Sequence, residues 1–325
     1  REWGPLEPFD DSMPEILKEN GIYTHLISDH LHYWEDGGAT YHSRYSSWEI
    51  IRGQEGDHWK GEKKDPQIPP VVKVPQKQQG TGTSGLWRYD WVNRNYIREE
   101  EDFPQTQCFD RGCEFLEKNH DQDNWLLHLE TFEPHEPFYV PQKYLDMYPE
   151  EYDGKHFDWP RGAVEEEPEE IAHCRRQYQA LVTMCAHSLG RILDMMDKYQ
   201  MWDDTMLIVG TDHGFLLAEH GYWGKNQMPY YNEVAHTPFF VWDPRYKEQG
   251  VRRQSLVQMI DWMPTLLKYF NLPIPKDVQG SPMDEIIKND TPSREYALYG
   301  VFSGHVNITD GSYAYMRAPL TEKAD

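Results

Sequence analysis

The sequence predicts an α/β fold with a mostly parallel sheet flanked by helices. The first observation is a long amphipathic helix expected over residues 171–199, with apolar side chains at steps of three and four. The second is that this helix leads through a short turn into the apolar, β-branched run 206–210. A helix that feeds a short buried strand is typical of a parallel sheet. The length of 325 residues suits one large α/β domain, or one domain with an appendage.

Near the start of the chain, local signals predict a helix followed by a strand. Ser12 is placed as an N-cap and Pro14 falls in the first turn, where proline is tolerated. Asn20-Gly21 ends this helix, because glycine accepts the left-handed conformation that often follows a helix. The short segment 23–28, YTHLIS, is then expected to be the first strand.

Further along the chain, the pattern alternates between polar excursions and regular elements. Residues 36–85 are rich in Gly, Pro, Lys and Gln, and we expect a long surface loop there. The end of 94–119 is predicted to be helical, and 125–129 is predicted to be a buried strand. A further strand is expected at 239–242, and an amphipathic helix at 256–270.

Charge and cysteine content exclude several classes of function. The formal net charge of −23 argues against nucleic acid or an anionic membrane surface as a partner. Cys108 and Cys113 are too far apart for a CxxC redox pair, and Cys174 and Cys185 are expected to be helical, buried thiols, so no disulfide is required. The longest apolar runs are too short to span a bilayer. The sequence leaves the cellular compartment open.

The strand at 206–210 ends in a loop that carries chemistry. Asp212 and His213 follow it directly, at the carboxyl end of a strand, where ligands gather in open α/β sheets. A carboxylate beside an imidazole is a candidate metal-ligand pair. Lys225, which follows Gly224, adds a cation that could bind an anion on the same loop. The alternative is an ordinary polar loop without a binding role. The Gly224-Lys225 pair further along the same stretch argues against this alternative.

The stretch 205–225 resembles the second signature of the sulfatase family, within the alkaline-phosphatase-like superfamily. The resemblance implies that Asp212 and His213 bind a divalent cation, usually Ca²⁺, and that Lys225 holds the sulfate oxygens. It also implies an alkaline-phosphatase-like sheet as the fold. Asp261-x-x-Pro264-Thr265 similarly resembles the Asp-x-x-Pro-Thr helix of that family.

A second segment that resembles the family follows the strand at 125–129. Pro134-His135-Glu136-Pro137 is similar to the Pro-His-x-Pro segment of sulfatases. The resemblance implies that His135 contacts the sulfate and protonates the leaving oxygen, a role that suits a side chain with a pKa near neutrality. The flanking prolines limit the backbone freedom of the loop. The alternative is a structural loop histidine.

The end of the first strand, at 28–33, is where many sulfatases carry a lysine followed by a histidine. Asp29 stands where the lysine would be, so the lysine contact is not carried over. His32 matches the histidine and His30 is the alternative, or both only line the substrate pocket. Arg44 and Arg52 either face an anionic sugar or pair with nearby carboxylates such as Glu49 and Glu55.

The family's nucleophile, a formylglycine made from Cys or Ser in a Cys/Ser-x-Pro-x-Arg motif, is not present in this chain: the residues after each of the four cysteines do not fit. Asp10-Asp11 precedes a helix and does not match the paired metal-binding aspartates of the family. We therefore expect a fragment that is incomplete at both ends and inactive alone. Residues 1–290 would form a partial catalytic domain, and 291–325 the start of a C-terminal subdomain.

The function that the resemblance implies is hydrolysis of a sulfate ester on a sulfated carbohydrate or small molecule. Two alternatives stay open. One is a phosphodiesterase or phosphonate-ester hydrolase of the same superfamily, and the other is a non-catalytic binding protein derived from a sulfatase.

Overall fold

The computed structural model describes residues 6–36, 38, 40–73, 85–225, 230–300 and 304–319. The chain divides into two compact units. The first unit is built mainly from Ile22–Tyr199, and the second from Pro8–Gly21 together with the chain from Gln200 onward.

The first unit contains a three-stranded parallel sheet and the longest helices. Its elements are β1 (Tyr23–Ser28), β2 (Ser47–Ile50), α2 (Leu86–Asn93), α3 (Pro104–Asn119), β3 (Trp125–Glu130), α4 (Gln142–Leu145), β4 (Gly162–Ala163) and α5 (Pro168–Lys198). The strand order is β2-β1-β3, and β1 is parallel to both neighbours. Ser28 pairs with Ile50 on one side and with Glu130 on the other, so the three strands end at one edge.

Helix α3 packs against β1, β3 and α5. Gly112 allows this close approach, because a Cβ at that position would overlap the Leu129 side chain of β3. The buried side chains of α5 include Leu181, Met184 and Ile192, which lie at helical spacing. A second apolar cluster contains Val72, Trp87 and Trp159.

The second unit consists of short helices and antiparallel strands. Its elements are α1 (Met13–Glu19), β5 (Leu207–Gly210), β6 (Leu216–Leu217), β7 (Tyr222–Gly224), α6 (Asn232–Ala235), β8 (Phe239–Trp242), α7 (Trp262–Tyr269), α8 (Asp284–Asn289), β9 (Ala297–Gly300), β10 (Val306–Thr309) and β11 (Ala314–Arg317). Strand β5 pairs with β8, β6 with β7, and β10 lies between β9 and β11, all antiparallel. Helix α1 packs against α7.

Most of the predicted elements are confirmed. The strand at 23–28 has the predicted bounds, and the long helix at 171–199 is α5. The strands at 125–129 and 239–242 correspond to β3 and β8, although β3 is half-buried instead of buried.

Three details of the predicted secondary structure differ from the structure. The excursion at 36–85 contains β2, which the short segment SWEI did not reveal because its register depends on β1. The strand at 206–210 pairs with an antiparallel neighbour, β8. The helix at 256–270 is regular only from Trp262, after a 3₁₀ turn at Met259–Asp261. The domain boundary at 290/291 stays a prediction.

All four cysteines are free thiols. Cys108 and Cys174 are buried, and Cys113 and Cys185 are partly buried. Burial raises the pKa of all four thiols. Across the residues that the structure describes, no helix combines the length and the apolar character needed to cross a bilayer.

Candidate functional site

The sheet of the first unit brings three chain segments to one edge. Because β1, β2 and β3 are parallel and in register at their ends, the residues that follow each strand lie side by side. Asp29 and His30 follow β1, Phe132 to His135 follow β3, and Arg52 follows β2. The sequence-predicted histidines of this unit therefore lie at the carboxyl edge of its sheet.

The Phe132 ring is the centre of this histidine group. The ring centres of His135 and His30 lie 4.8 and 5.0 Å from that of Phe132, both edge to face. The His32 ring lies 6.2 Å away on a tilted plane. We call these three histidines and Phe132 the histidine group. The structure thus places the rings of His30, His32 and His135 around Phe132, and their roles stay predictions.

His135 has a defined tautomer. Its Nδ1 lies 2.5 Å from the carbonyl oxygen of Glu136, and a carbonyl oxygen can only accept, so Nδ1 carries the proton. The Glu136 carboxylate lies 3.4 Å from the same nitrogen and would stabilise a positively charged ring. Nε2 is therefore the nitrogen that can exchange a proton with a bound molecule.

Glu130, the last residue of β3, anchors the other side of the group. Its carboxylate lies 3.4 Å from His30 Nδ1 and accepts hydrogen bonds from Ser28 Oγ (2.7 Å) and the Tyr33 hydroxyl (3.2 Å). Burial alone would raise the pKa of this carboxyl. The hydrogen bond with His30 and the nearby charges of His128 and His30 outweigh burial and lower the pKa to about 2. Glu130 is thus a fixed negative charge beside His30.

Sequence reasoning missed a buried carboxyl pair directly behind this group. Asp29 and Glu133 are only 1% and 8% exposed. One Asp29 oxygen accepts the N–H of Phe132 at 2.8 Å, so Asp29 helps to hold the ring around which the histidines pack. Within the described part of the chain, the other Asp29 oxygen and Glu133 Oε2 have no hydrogen-bond partner.

Burial controls the protonation of this pair. Burial raises the pKa of Asp29 well above its usual range, and the charge of Glu133 raises it further. Burial raises the pKa of Glu133 to about 7. Glu133 also lines a cavity of ≈ 20 Å³, which has room for about one water. The pair could have been suspected from sequence, because each acid follows a strand by one to three residues.

The sequence allows two roles for Arg44 and Arg52, facing an anionic sugar or pairing within the protein. The structure shows a protein partner for each. Arg52 donates two hydrogen bonds to Asp57, at 2.6 and 2.5 Å. Arg44 donates to the backbone oxygen of Glu7 at 2.9 Å. Pairing with a carboxylate is therefore confirmed for Arg52, although its partner is neither Glu49 nor Glu55.

The second unit carries the other predicted residues. Asp212 follows β5, and one of its oxygens accepts the N–H of His213 at 2.8 Å. The Nδ1 of His213 lies 2.9 Å from the oxygen of Gly214 and must donate to it. His213 Nε2 then lies 3.2 Å from the second Asp212 oxygen. Two lone pairs at this distance need a proton or a cation between them.

This pair fits part of a divalent-cation site. Asp212 supplies oxygens, which Ca²⁺ prefers, and its side chain is 75% exposed, so the carboxylate is accessible. In the ranges that the structure describes, no group of three or more His, Cys, Asp or Glu side chains is arranged to hold a metal. Asp212 and His213 therefore account for two ligands at most.

The β6–β7 hairpin brings Lys225 back to the segment that follows this pair. Leu216 of β6 pairs with Gly224 of β7, which brings Lys225 beside Phe215. The Lys225 ammonium lies 5.8 Å from the centre of the Phe215 ring. Gly214 fixes the loop, since its N–H donates to the Val234 oxygen at 2.8 Å and a Cβ would collide with the backbone of Glu233.

Comparison with known proteins identifies the family to which the chain is similar. A family model described as Sulfatase matches residues 2–272. An arylsulfatase of Clostridium perfringens is 25% identical over 250 residues, covering 69% of this chain and 51% of that protein. An N-acetylglucosamine-6-O-sulfatase of Bacteroides thetaiotaomicron is 30% identical over 128 residues, covering 38% of this chain and 23% of that protein. The chain spans about half the length, or less, of these relatives.

Solved structures agree in fold. A protein in complex with its substrate D-glucosamine-2-N,6-O-disulfate has a TM-score of 0.68 at 17% identity, covering 96% of this chain and 74% of that chain. The phosphonate monoester hydrolase of Silicibacter pomeroyi has a TM-score of 0.70 at 18% identity, covering 98% and 73%. The predicted alkaline-phosphatase-like α/β fold is confirmed.

Proposed function

The chain belongs to the sulfatase family, and from that premise we propose that it serves hydrolysis of a sulfate ester on a sulfated carbohydrate. The histidine group at the carboxyl edge of the sheet is the observation that most supports this function. In it, the ring centre of His135 lies 4.8 Å from that of Phe132. The relative named as an N-acetylglucosamine-6-O-sulfatase and the neighbour solved with a glucosamine disulfate favour a sulfated sugar as substrate.

His135 is proposed as the group that protonates the leaving oxygen. Its Nδ1 is committed to Glu136, so Nε2 is the atom that would deliver the proton. The Glu136 carboxylate at 3.4 Å would favour the protonated ring. A sugar alkoxide is a poor leaving group, and protonation as the bond breaks typically contributes about 10²–10⁴-fold in rate.

In the second unit, Lys225 is proposed to hold a sulfate oxygen, and Asp212 and His213 to supply two ligands of a divalent cation. Such a cation, Ca²⁺ by family resemblance, would neutralise negative charge on the sulfate when bound. With a net charge of −23, the protein needs this local positive charge to accept an anionic substrate.

The test is sulfate release by the full-length protein from glucosamine 6-sulfate and from an aryl sulfate. His135→Ala is expected to lower kcat about 100-fold or more for the sugar sulfate. The loss should be smaller for the aryl sulfate, because a phenolate leaves without protonation. The matched control is His120→Ala, since His120 is an exposed histidine of the same unit that stacks on Tyr199. Equal losses for both substrates would overturn the role of His135.

Hydrolysis of a phosphonate or phosphate ester is the second candidate. Phosphonate monoester hydrolases are among the structural neighbours, and a multifunctional alkaline phosphatase superfamily protein of Trinickia caryophylli is 26% identical over 233 residues. Faster turnover of a phenylphosphonate ester than of any sulfate ester would favour this function. Ca²⁺ binding with no turnover of either class would favour the non-catalytic binding protein.

A further inference from the structure

Trp34 is an exposed aromatic side chain beside the histidine group. It ends the 3₁₀ helix Leu31–Trp34, which directly follows His30 and contains His32. Its side chain is 60% exposed, although soluble proteins usually bury most of a tryptophan. A tryptophan held open two residues from His32 can contact a molecule bound at the same edge.

Arg52 covers part of Trp34 and is itself held in place. Its guanidinium carbon lies 5.1 Å from the centre of the Trp34 ring. The two hydrogen bonds to Asp57 fix the guanidinium, and Asp57 also accepts the N–H of Gly53 at 2.9 Å. Trp34 thus stays 60% exposed although Arg52 lies over its ring.

The position of this pair relative to the histidine group follows from the sheet. Arg52 follows β2, Trp34 follows β1 and His135 follows β3, in the strand order β2-β1-β3. Neighbouring strands lie about 4.8 Å apart, so the ends of β2 and β3, which precede Arg52 and His135, are two strand spacings or about 10 Å apart. A second sugar ring of a bound oligosaccharide can extend over such a distance.

We propose that Trp34, supported by Arg52, is a stacking subsite for a neighbouring sugar ring of a sulfated oligosaccharide. An indole face covers the apolar C–H face of a pyranose, as in aromatic contacts generally. Arg52, whose charge is balanced by Asp57, holds the indole in place from the face that it covers. The identity of the sugar rests on the proposed function. The binding of a sugar ring to Trp34 does not depend on it.

The experiment compares binding of two probes to the full-length protein by calorimetric titration. The probes are glucosamine 6-sulfate and a heparin-derived tetrasaccharide. Trp34→Ala is expected to weaken tetrasaccharide binding about tenfold, which corresponds to about 1.4 kcal/mol, and to leave monosaccharide binding unchanged. Trp34→Phe, which keeps a ring, should lose less.

The matched control is Trp48→Ala, because Trp48 is a 43% exposed tryptophan of the same unit that contacts His42. It should bind the tetrasaccharide as the wild type does. Arg52 is left unchanged, because removing its charge would leave the buried Asp57 without its partner.

The outcomes separate this inference from the proposed function. Equal tetrasaccharide affinity of Trp34→Ala and wild type overturns the subsite, as does an equal loss for both probes. If tetrasaccharide binding depends on Trp34 while no sulfate ester is hydrolysed, the subsite stands and the proposed hydrolase function fails.

Discussion

Glu133→Gln is expected to make the stability of the protein less dependent on pH. Burial raises the pKa of Glu133 to about 7 from its usual value of 4.5 in the unfolded chain. Between these two values the folded protein holds a proton that the unfolded chain has released. Stability contributed by the protonated carboxyl is therefore complete below pH 4.5, falls as pH rises, and is lost above about pH 7.

The magnitude follows from the size of this pKa difference. Each pKa unit corresponds to about 1.4 kcal/mol, so charging Glu133 in the folded state lowers the unfolding free energy by about 3–4 kcal/mol. An unfolding entropy of about 2.1 cal/mol/K per residue converts this, for a chain of this length, to a fall of about 5 °C in Tm. Glutamine has nearly the same shape and no charge, so it removes this contribution.

The assay is thermal unfolding of wild type and Glu133→Gln between pH 4.5 and pH 8. The difference in Tm between the two proteins should shift by about 5 °C in favour of the variant across that range. Glu151→Gln, which replaces an exposed carboxyl of the same unit, is the matched control and should follow the wild type. Parallel curves for Glu133→Gln and wild type would refute the reasoning about the buried pair.

Three further predictions concern single side chains. Arg94→Leu should lower the unfolding free energy by about 3–5 kcal/mol in denaturant titration, because Asp158, which accepts from Arg94 at 2.7 Å, stays buried without its partner; a loss below 1 kcal/mol would contradict this. Gly214→Ala should lower it by about 1–3 kcal/mol, since the new methyl group collides with the backbone of Glu233, whereas an unchanged Tm would argue against that packing. Asp212→Asn should weaken Ca²⁺ binding about tenfold in calorimetric titration, and unchanged affinity would exclude Asp212 as a ligand.

Local sequence signals predict a helix or strand correctly where the residues of that element determine its conformation by themselves. The strand at 23–28 is a short segment between Gly21 and Asp29 that contains Tyr23, Thr24 and Ile27, residue types that favour strands, and the long helix repeats apolar residues at helical spacing. In contrast, β2 is four residues long and forms because β1 offers a partner 20 or more residues away. Its identity as a strand is a property of the sheet, which local patterning does not encode.

The candidate site likewise contains residues that the sequence predicts and residues that only the folded structure reveals. His135, Asp212 and Lys225 stand in recognisable segments, so their positions could be predicted, and their roles stay predictions. The Asp29–Glu133 pair joins residues more than 100 positions apart, and its raised pKa values come from burial that only the folded chain creates. In the sequence, Asp29 stands out only because it occupies the position of the family's lysine.

The four buried or half-buried thiols also determine how the protein can be handled. Only a thiolate reacts readily with maleimides or iodoacetamide, and burial raises the pKa of Cys108, Cys113, Cys174 and Cys185. At neutral pH the native cysteines should therefore react slowly. One cysteine introduced at an exposed position could be labelled selectively with a spin or fluorescent probe, without first replacing the native four.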